Sequence, residues 1–271
     1  MTSKYYIIYQ GSGGLIHMLG GLAHSCNFVN SQRNSILVIN VENHIAFQSK
    51  FSNFFYLNNV KYTEDYEEVL SKFKSFKRIP LKHILENNCD DNYNITYNNT
   101  KINIRAGLSK YIPKTNLLYL YAGFGCNNHL DILKYVKVNP DIMEKIKLFK
   151  LDYEYVGVHF RNTDIKQDYN KYVNKLKQYE QYTIYLATDD YNAYDYFCEK
   201  LPNHKIIRFT KAPKVDGNNI HFHCDDKPKQ VLNLLIDMYV LYNSTIFIES
   251  HGSLVSRLVN TMRKENKSIF L

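Results

Sequence analysis

The sequence predicts an α/β protein of two Rossmann-like domains facing each other across a cleft, and two observations carry that prediction. Apolar runs of strand length alternate with segments of helical period, from YYIIY at residues 5–9 through Leu15 to Gln32 and on to ILVIN at 36–40. That is the order of βαβ units on a parallel sheet. The alternation then lapses in the middle of the chain and restarts at YVGVHF, so the 271 residues divide near residue 150 into two units of ordinary domain size.

Within the first unit, Leu15, Met18, Leu19, Leu22, Ala23, Cys26 and Val29 recur at spacings of three and four, which gives a helix with one buried face. The segment from about Ile79 to Lys114 contains NNCDDNYNITYNNTK and reads as a surface excursion with one hairpin. Asn139-Pro140-Asp141 opens a helix to about Lys150, with an Asn cap, Pro in the first turn and an acid on the positive end of the dipole. The second unit reads as strands at 155–160, 183–187, 205–209 and 245–249, helices at about 169–179, 191–200, 227–242 and 252–264, and SIFL at the C-terminus. In such folds ligands bind at the carboxyl ends of the strands.

Composition narrows the function classes. A formal charge of +8 admits anionic partners such as nucleic acid, an anionic membrane or a nucleotide diphosphate. No run of five Lys or Arg occurs and the basic residues are interleaved with acids, which argues against a nucleic-acid stripe. Cys26, Cys89, Cys126, Cys198 and Cys224 are odd in number and form no CxxC pair, so free thiols are expected rather than a zinc knuckle or a disulfide framework. The start MTSKYYIIYQGSGG has too short an apolar run for a signal peptide, and no segment approaches the ~20 apolar residues of a membrane span. The expectation is a soluble, cytoplasmic protein in which the sequons at Asn94, Asn98, Asn243 and Asn266 stay unmodified.

Four segments can carry chemistry. GSGGLIHMLGGL, residues 11–22, places glycines between a strand and a helix, where they either make a tight βα turn or let a phosphate or sugar oxygen approach the backbone. It is not GxGxxG, and no acid closes the following strand in ILVINVEN, so simple NAD binding is not indicated. His17 stands just inside that helix. In VGVHFRNTD, residues 156–164, alternation sends His159 and Arg161 to one side. Arg161 either pairs with Asp164 at the strand end or grips phosphate oxygens with its planar fork. IYLATDD, residues 184–190, ends in Asp189 and Asp190, as a helix cap or as part of a site. In LLIDMYVLYNSTIFIESHGSLVSRLVNTMR, residues 234–263, the buried acid Asp237 requires hydrogen-bond donors from protein or ligand. Ser253 starts a helix there, as an N-cap or a phosphate contact.

Taken in order, these motifs resemble the GDP-fucose-dependent fucosyltransferases of the α1,6-, α1,2- and protein O-fucosyltransferase superfamily, inverting enzymes of GT-B fold. VGVHFRNTD resembles the family's His-x-Arg-Arg-x-Asp segment and IYLATDD its Tyr-Leu-Ala-Thr-Asp-Asp strand end. IDMYVL followed by SHGSLVSRL resembles its last nucleotide-binding segment, and GSGGLIHML its glycine-rich first loop. The likeness covers most of residues 150–265 and about 5–40.

The resemblance implies transfer of L-fucose from GDP-fucose to a glycan, without a metal or other cofactor. Residues 1–150 would lie on the acceptor side and 151–271 would bind the donor. Arg161 would bind the β-phosphate, Ser253 would hold phosphate, and Gly13 and Gly14 would pass close to the phosphates or the fucose. His159 and Asp237 would contact guanine or ribose, and Asp164, Asp189 and Asp190 would shape the same pocket. Two departures stand out: Asn162 occupies the position of the family's second arginine, and the chain is short. Tyr169 stands where the α1,6 branch has a glutamate, which leaves Asp168 or His17 as the general base. A different nucleotide sugar, or a nucleotide- or glycan-binding module without turnover, are the alternatives.

Overall fold

The structure is a computed structural model and describes residues 5–11, 13–31, 34–71, 94–97, 100–103, 117–120, 129–214 and 224–270. The chain forms two compact units, residues 1–137 and 138–271. The division therefore falls before the helix that Asn139 caps, not at residue 150 after it. Asn139 Oδ1 accepts the N–H of Asp141 at 2.8 Å, and the helix packs on a long helix of the second unit. Val138 N–H bonds the carbonyl of Ile269 at 2.7 Å, which draws the segment toward the C-terminus.

The first unit holds β1 (Tyr5–Tyr9), α1 (Leu15–Ser31), β2 (Ser35–Ile39), β3 (Phe55–Leu57), β4 (Tyr62–Thr63), α2 (Tyr66–Ser71), β5 (Asn94–Tyr97), β6 (Thr100–Asn103), β7 (Leu117–Leu120) and α3 (His129–Tyr135), with β8 (Val136–Val138) at the division. Its sheet runs β4-β2-β1-β7, all parallel, with Tyr5 opposite Ser35 and Tyr6 opposite Leu117. All the apolar residues of the predicted stripe in α1 are buried. The helix lies against α3, where Tyr135 Oη donates to Asn27 Oδ1 at 2.6 Å. Of the segment at 79–114, only the antiparallel pair β5–β6 is described. Cys89 and Cys126 fall outside the described residues; Cys26, Cys198 and Cys224 are free.

The second unit holds α4 (Pro140–Lys147), β9 (Tyr155–Phe160), α5 (Tyr169–Leu176), β10 (Thr183–Thr188), α6 (Ala193–Lys200), β11 (Ile206–Ile207), α7 (Lys227–Asn243), β12 (Ile246–Ile248) and α8 (Leu254–Glu265). The four strands are parallel in the order β11-β10-β9-β12, so β9 is hydrogen-bonded on both sides and all six of its residues are buried. Strand alternation sorts the layers. Val156, Val158 and Phe160 join Tyr172, Val173, Leu176 and Phe197 of α5 and α6 in one apolar cluster. On the opposite parity, Tyr155 Oη bonds the carbonyl of Val240 in α7 at 2.7 Å, and Gly157 lets α7 and its end approach: a Cβ there would stand 2.8 Å from Ser244 Oγ. The carboxyl ends of β9, β10 and β12 thus reach one edge of the sheet side by side. Among the described residues no helix is long and apolar enough to cross a membrane.

Candidate functional site

Three loops leave that edge: residues 161–168 after β9, 189–192 after β10 and 249–253 after β12. Arg161 opens the first. Its backbone N–H donates to Ser250 Oγ at 3.1 Å, which fastens it to the third loop. Its guanidinium grips Asp164, with Nε on Oδ1 at 2.9 Å and Nη2 on Oδ1 and Oδ2 at 2.6 and 2.7 Å. Asp189 Oδ2 lies 3.8 Å from Nε. Burial pushes the Asp164 carboxyl up, but the hydrogen bond and charge of Arg161 outweigh it and hold the group below its ordinary value. The Arg–Asp pairing read as one alternative is therefore present, while the guanidinium remains one-fifth exposed at the edge.

Asp189 and Asp190 face inward to the first loop. Asp189 accepts the backbone N–H of Asn162 at 2.7 Å and the hydroxyl of Thr163 at 2.7 Å. Burial pushes its carboxyl above the usual range, while Thr163, Asn162 and Arg161 oppose that. Asp190 accepts the side-chain amide of Asn162 at 2.7 Å and the phenol of Tyr169 at 2.5 Å on one oxygen, and the N–H of Asn192 at 3.0 Å on the other. Both acids shape the loop rather than offer open carboxylates.

His159 is buried and lies under the third loop, with Nδ1 2.7 Å from Ser256 Oγ. That hydroxyl accepts the N–H of Ser250 at 2.9 Å and has its own hydrogen for the ring. Burial, aided by the charge of Arg161, pushes the imidazole down to about 3, so it stays neutral over the physiological range. Asp237 is also buried, and its donors are the protein's own: Tyr185 Oη at 2.6 Å and Thr210 Oγ1 at 2.8 and 2.9 Å. Burial pushes its carboxyl up to about 7, against the pull of both hydroxyls. His159 Nδ1 and both oxygens of Asp237 are thus engaged by protein hydroxyls.

Ser253 is fully buried and caps α8, accepting the N–H of Ser256 at 3.4 Å. The cap read as one alternative is therefore present. Gly252 precedes the cap with a φ of +77°, a conformation that favours glycine, and Leu254 and Val255 begin the first turn of α8. Asp168 caps α5 through a 2.9 Å bond from Asn170 N–H and is exposed. In the first unit, Gly11 and Gly13 adopt φ of +66° and +74°. The carbonyl of Gly14 accepts the N–H of Met18 at 3.0 Å at the start of α1, and His17 lies against Gly13.

Sequence reasoning missed Ser250, Ser256, Gln167 and Thr163, which tie the loops together. Gln167 Nε2 donates to the carbonyl of His251 at 3.1 Å. Among the described residues no group of three or more His, Cys, Asp or Glu side chains is placed to hold a metal ion.

No family model matches the chain, and no curated protein matches it. Solved structures do. The fucosyltransferase NodZ from Bradyrhizobium superposes with a TM-score of 0.60 at 14% identity, covering 96% of this chain and 93% of that one. The fold is that of solved fucosyltransferases. POFUT1 in complex with GDP-fucose matches with a TM-score of 0.55 at 12% identity, over 96% of this chain and 94% of its own. POFUT1 in complex with GDP gives 0.52, again at 12% and over 96% and 94%. The expected α/β class of GT-B type is thus the one observed, and the likeness runs through both units.

Proposed function

We propose that this chain is a fucosyltransferase that moves L-fucose from GDP-fucose to a glycan acceptor, with inversion and without a metal. One observation carries the reading: Arg161 and the N-terminal tip of α8 are hydrogen-bonded into a single assembly at the carboxyl edge of a sheet, in a fold shared with proteins solved with GDP-fucose. Departure of GDP from the sugar builds negative charge on the β-phosphate. A guanidinium and a helix N-terminus fixed beforehand stabilise that charge with little reorganisation. Arg161 takes the β-phosphate and the α8 tip the adjoining oxygens, with Asp189 beside the arginine and Asp164 holding it before the donor arrives. Asp168, on the same loop as Arg161, is the assigned base on the acceptor hydroxyl; His17 is the second candidate. In the first unit, the Gly13–Gly14 turn is assigned to the donor's phosphates or sugar, and the acceptor to that unit's side.

The experiment is incubation with GDP-fucose and a glycan array in EDTA. Fucosylated product and free GDP are expected. Absence of both GDP binding and GDP release overturns the reading, and GDP binding without transfer to any acceptor reduces it to a binding module. UDP competing as well as GDP would overturn the choice of donor.

A further inference from the structure

We infer that Asn162 is a positioning residue that locks the loop bearing Arg161, with Asp190 as its partner. Resting on the proposed reading of the site, this makes Asn162 the anchor of the phosphate-binding arginine. The residue uses nearly all of its hydrogen-bonding capacity, and in several directions. Its N–H donates to Asp189 Oδ1 at 2.7 Å and its Nδ2 to Asp190 Oδ2 at 2.7 Å. Its Oδ1 accepts the N–H of Gln167 at 2.9 Å, and its carbonyl accepts Lys166 Nζ at 3.0 Å. The Asp190 oxygen is itself shared with Tyr169 Oη at the start of α5, and Gln167 passes the connection on to His251 in the third loop. One side chain therefore closes the loop from residue 162 to 167 on itself and joins it to the end of β10.

This work needs a donor and an acceptor on one short side chain, which an amide supplies. Arginine at this position offers donors only and leaves the N–H of Gln167 without its acceptor. Aspartate keeps that acceptor but sets a carboxylate against Asp190. The second guanidinium missing from the motif is therefore replaced by a strut.

Exchanging donor and acceptor tests the inference. Asn162→Asp is compared with the paired variant Asn162→Asp/Asp190→Asn, in which the amide and carboxylate change places. Amide hydrogen exchange over residues 161–168 is followed in the free protein, and kcat/KM for GDP-fucose is measured beside it. Asn162→Asp is expected to speed exchange in the loop and lower kcat/KM by tenfold or more at pH 8. The paired variant is expected to return loop exchange to within threefold of wild type. If Asn162→Asp does not fold, the paired variant decides alone by its loop exchange. Wild-type exchange in Asn162→Asp, or a paired variant no better than the single one, overturns the inference. Absence of GDP binding and transfer in the wild type sinks the proposed function instead, while the exchange measurement still judges Asn162.

Discussion

Asp237→Asn should change how stability depends on pH, and the size of the change follows from the burial of this carboxyl. In the folded protein it titrates at about 7 instead of the ordinary 3.8. Because the folded value is the higher, its protonated form is favoured by folding. The contribution is fully present below pH ~4 and is lost as pH rises through 7, at about 4 kcal/mol in all. From pH 5 to 8 the loss is about 2 to 3 kcal/mol.

His159 works in the opposite sense. Its folded value of about 3 lies below the ordinary 6.5. The stability it contributes is present above pH ~6.5 and falls by about 2 kcal/mol between pH 8 and 5. In the wild type the two slopes nearly cancel. In Asp237→Asn, whose amide oxygen can still accept from Tyr185 and Thr210, the His159 slope is exposed. Urea unfolding followed by tyrosine fluorescence suits a chain with 24 Tyr and no Trp. The stability difference between wild type and variant should shift by about 2 to 3 kcal/mol from pH 5 to 8 in favour of the variant. A difference that stays constant with pH refutes the argument.

Arg161→Lys replaces a planar fork by a point charge and should weaken GDP binding about 10- to 100-fold in calorimetry; unchanged affinity removes Arg161 from the phosphate. Ser256→Ala strips a buried partner from both His159 Nδ1 and Ser250 N–H and should cost about 2 to 4 kcal/mol of stability. A loss under about 0.5 kcal/mol in denaturant titration would contradict that. Gly157→Ala sets a methyl 2.8 Å from Ser244 Oγ and 2.9 Å from its Cβ, and overpacking of about 1 to 3 kcal/mol should lower the melting temperature; an unchanged melt counts against the close approach.

The elements that position the site were legible because they are periodic. YVGVHF is the strand β9 over residues 155–160 as read, and α1 buries the predicted stripe. The partners of the polar residues were not legible, because they are set by tertiary packing. Asp237 meets Tyr185 and Thr210, 52 and 27 residues away, and His159 meets Ser256 across 97. A buried acid announces that it needs donors without saying which. Asn162 illustrates the same limit: as a motif position it reads as a missing charge, and only its four neighbours reveal a strut. The compact units divide at 137/138 rather than where the alternation restarts at YVGVHF, because membership is decided by what α4 packs against.

On the proposed reading of the site, the pairing of Arg161 with Asp164 makes phosphate binding an exchange reaction. A ligand that reaches this guanidinium competes with a carboxylate tethered three residues away, already seated on Nε and Nη2. Such a tether acts as a high local concentration of competitor. Small monoanions gain nothing by replacing one carboxylate with another, whereas a doubly charged phosphate that also reaches the α8 tip gains on both counts. On the proposed reading, the resting ion pair thus sets a threshold that favours a phosphate able to reach both partners over small monoanions.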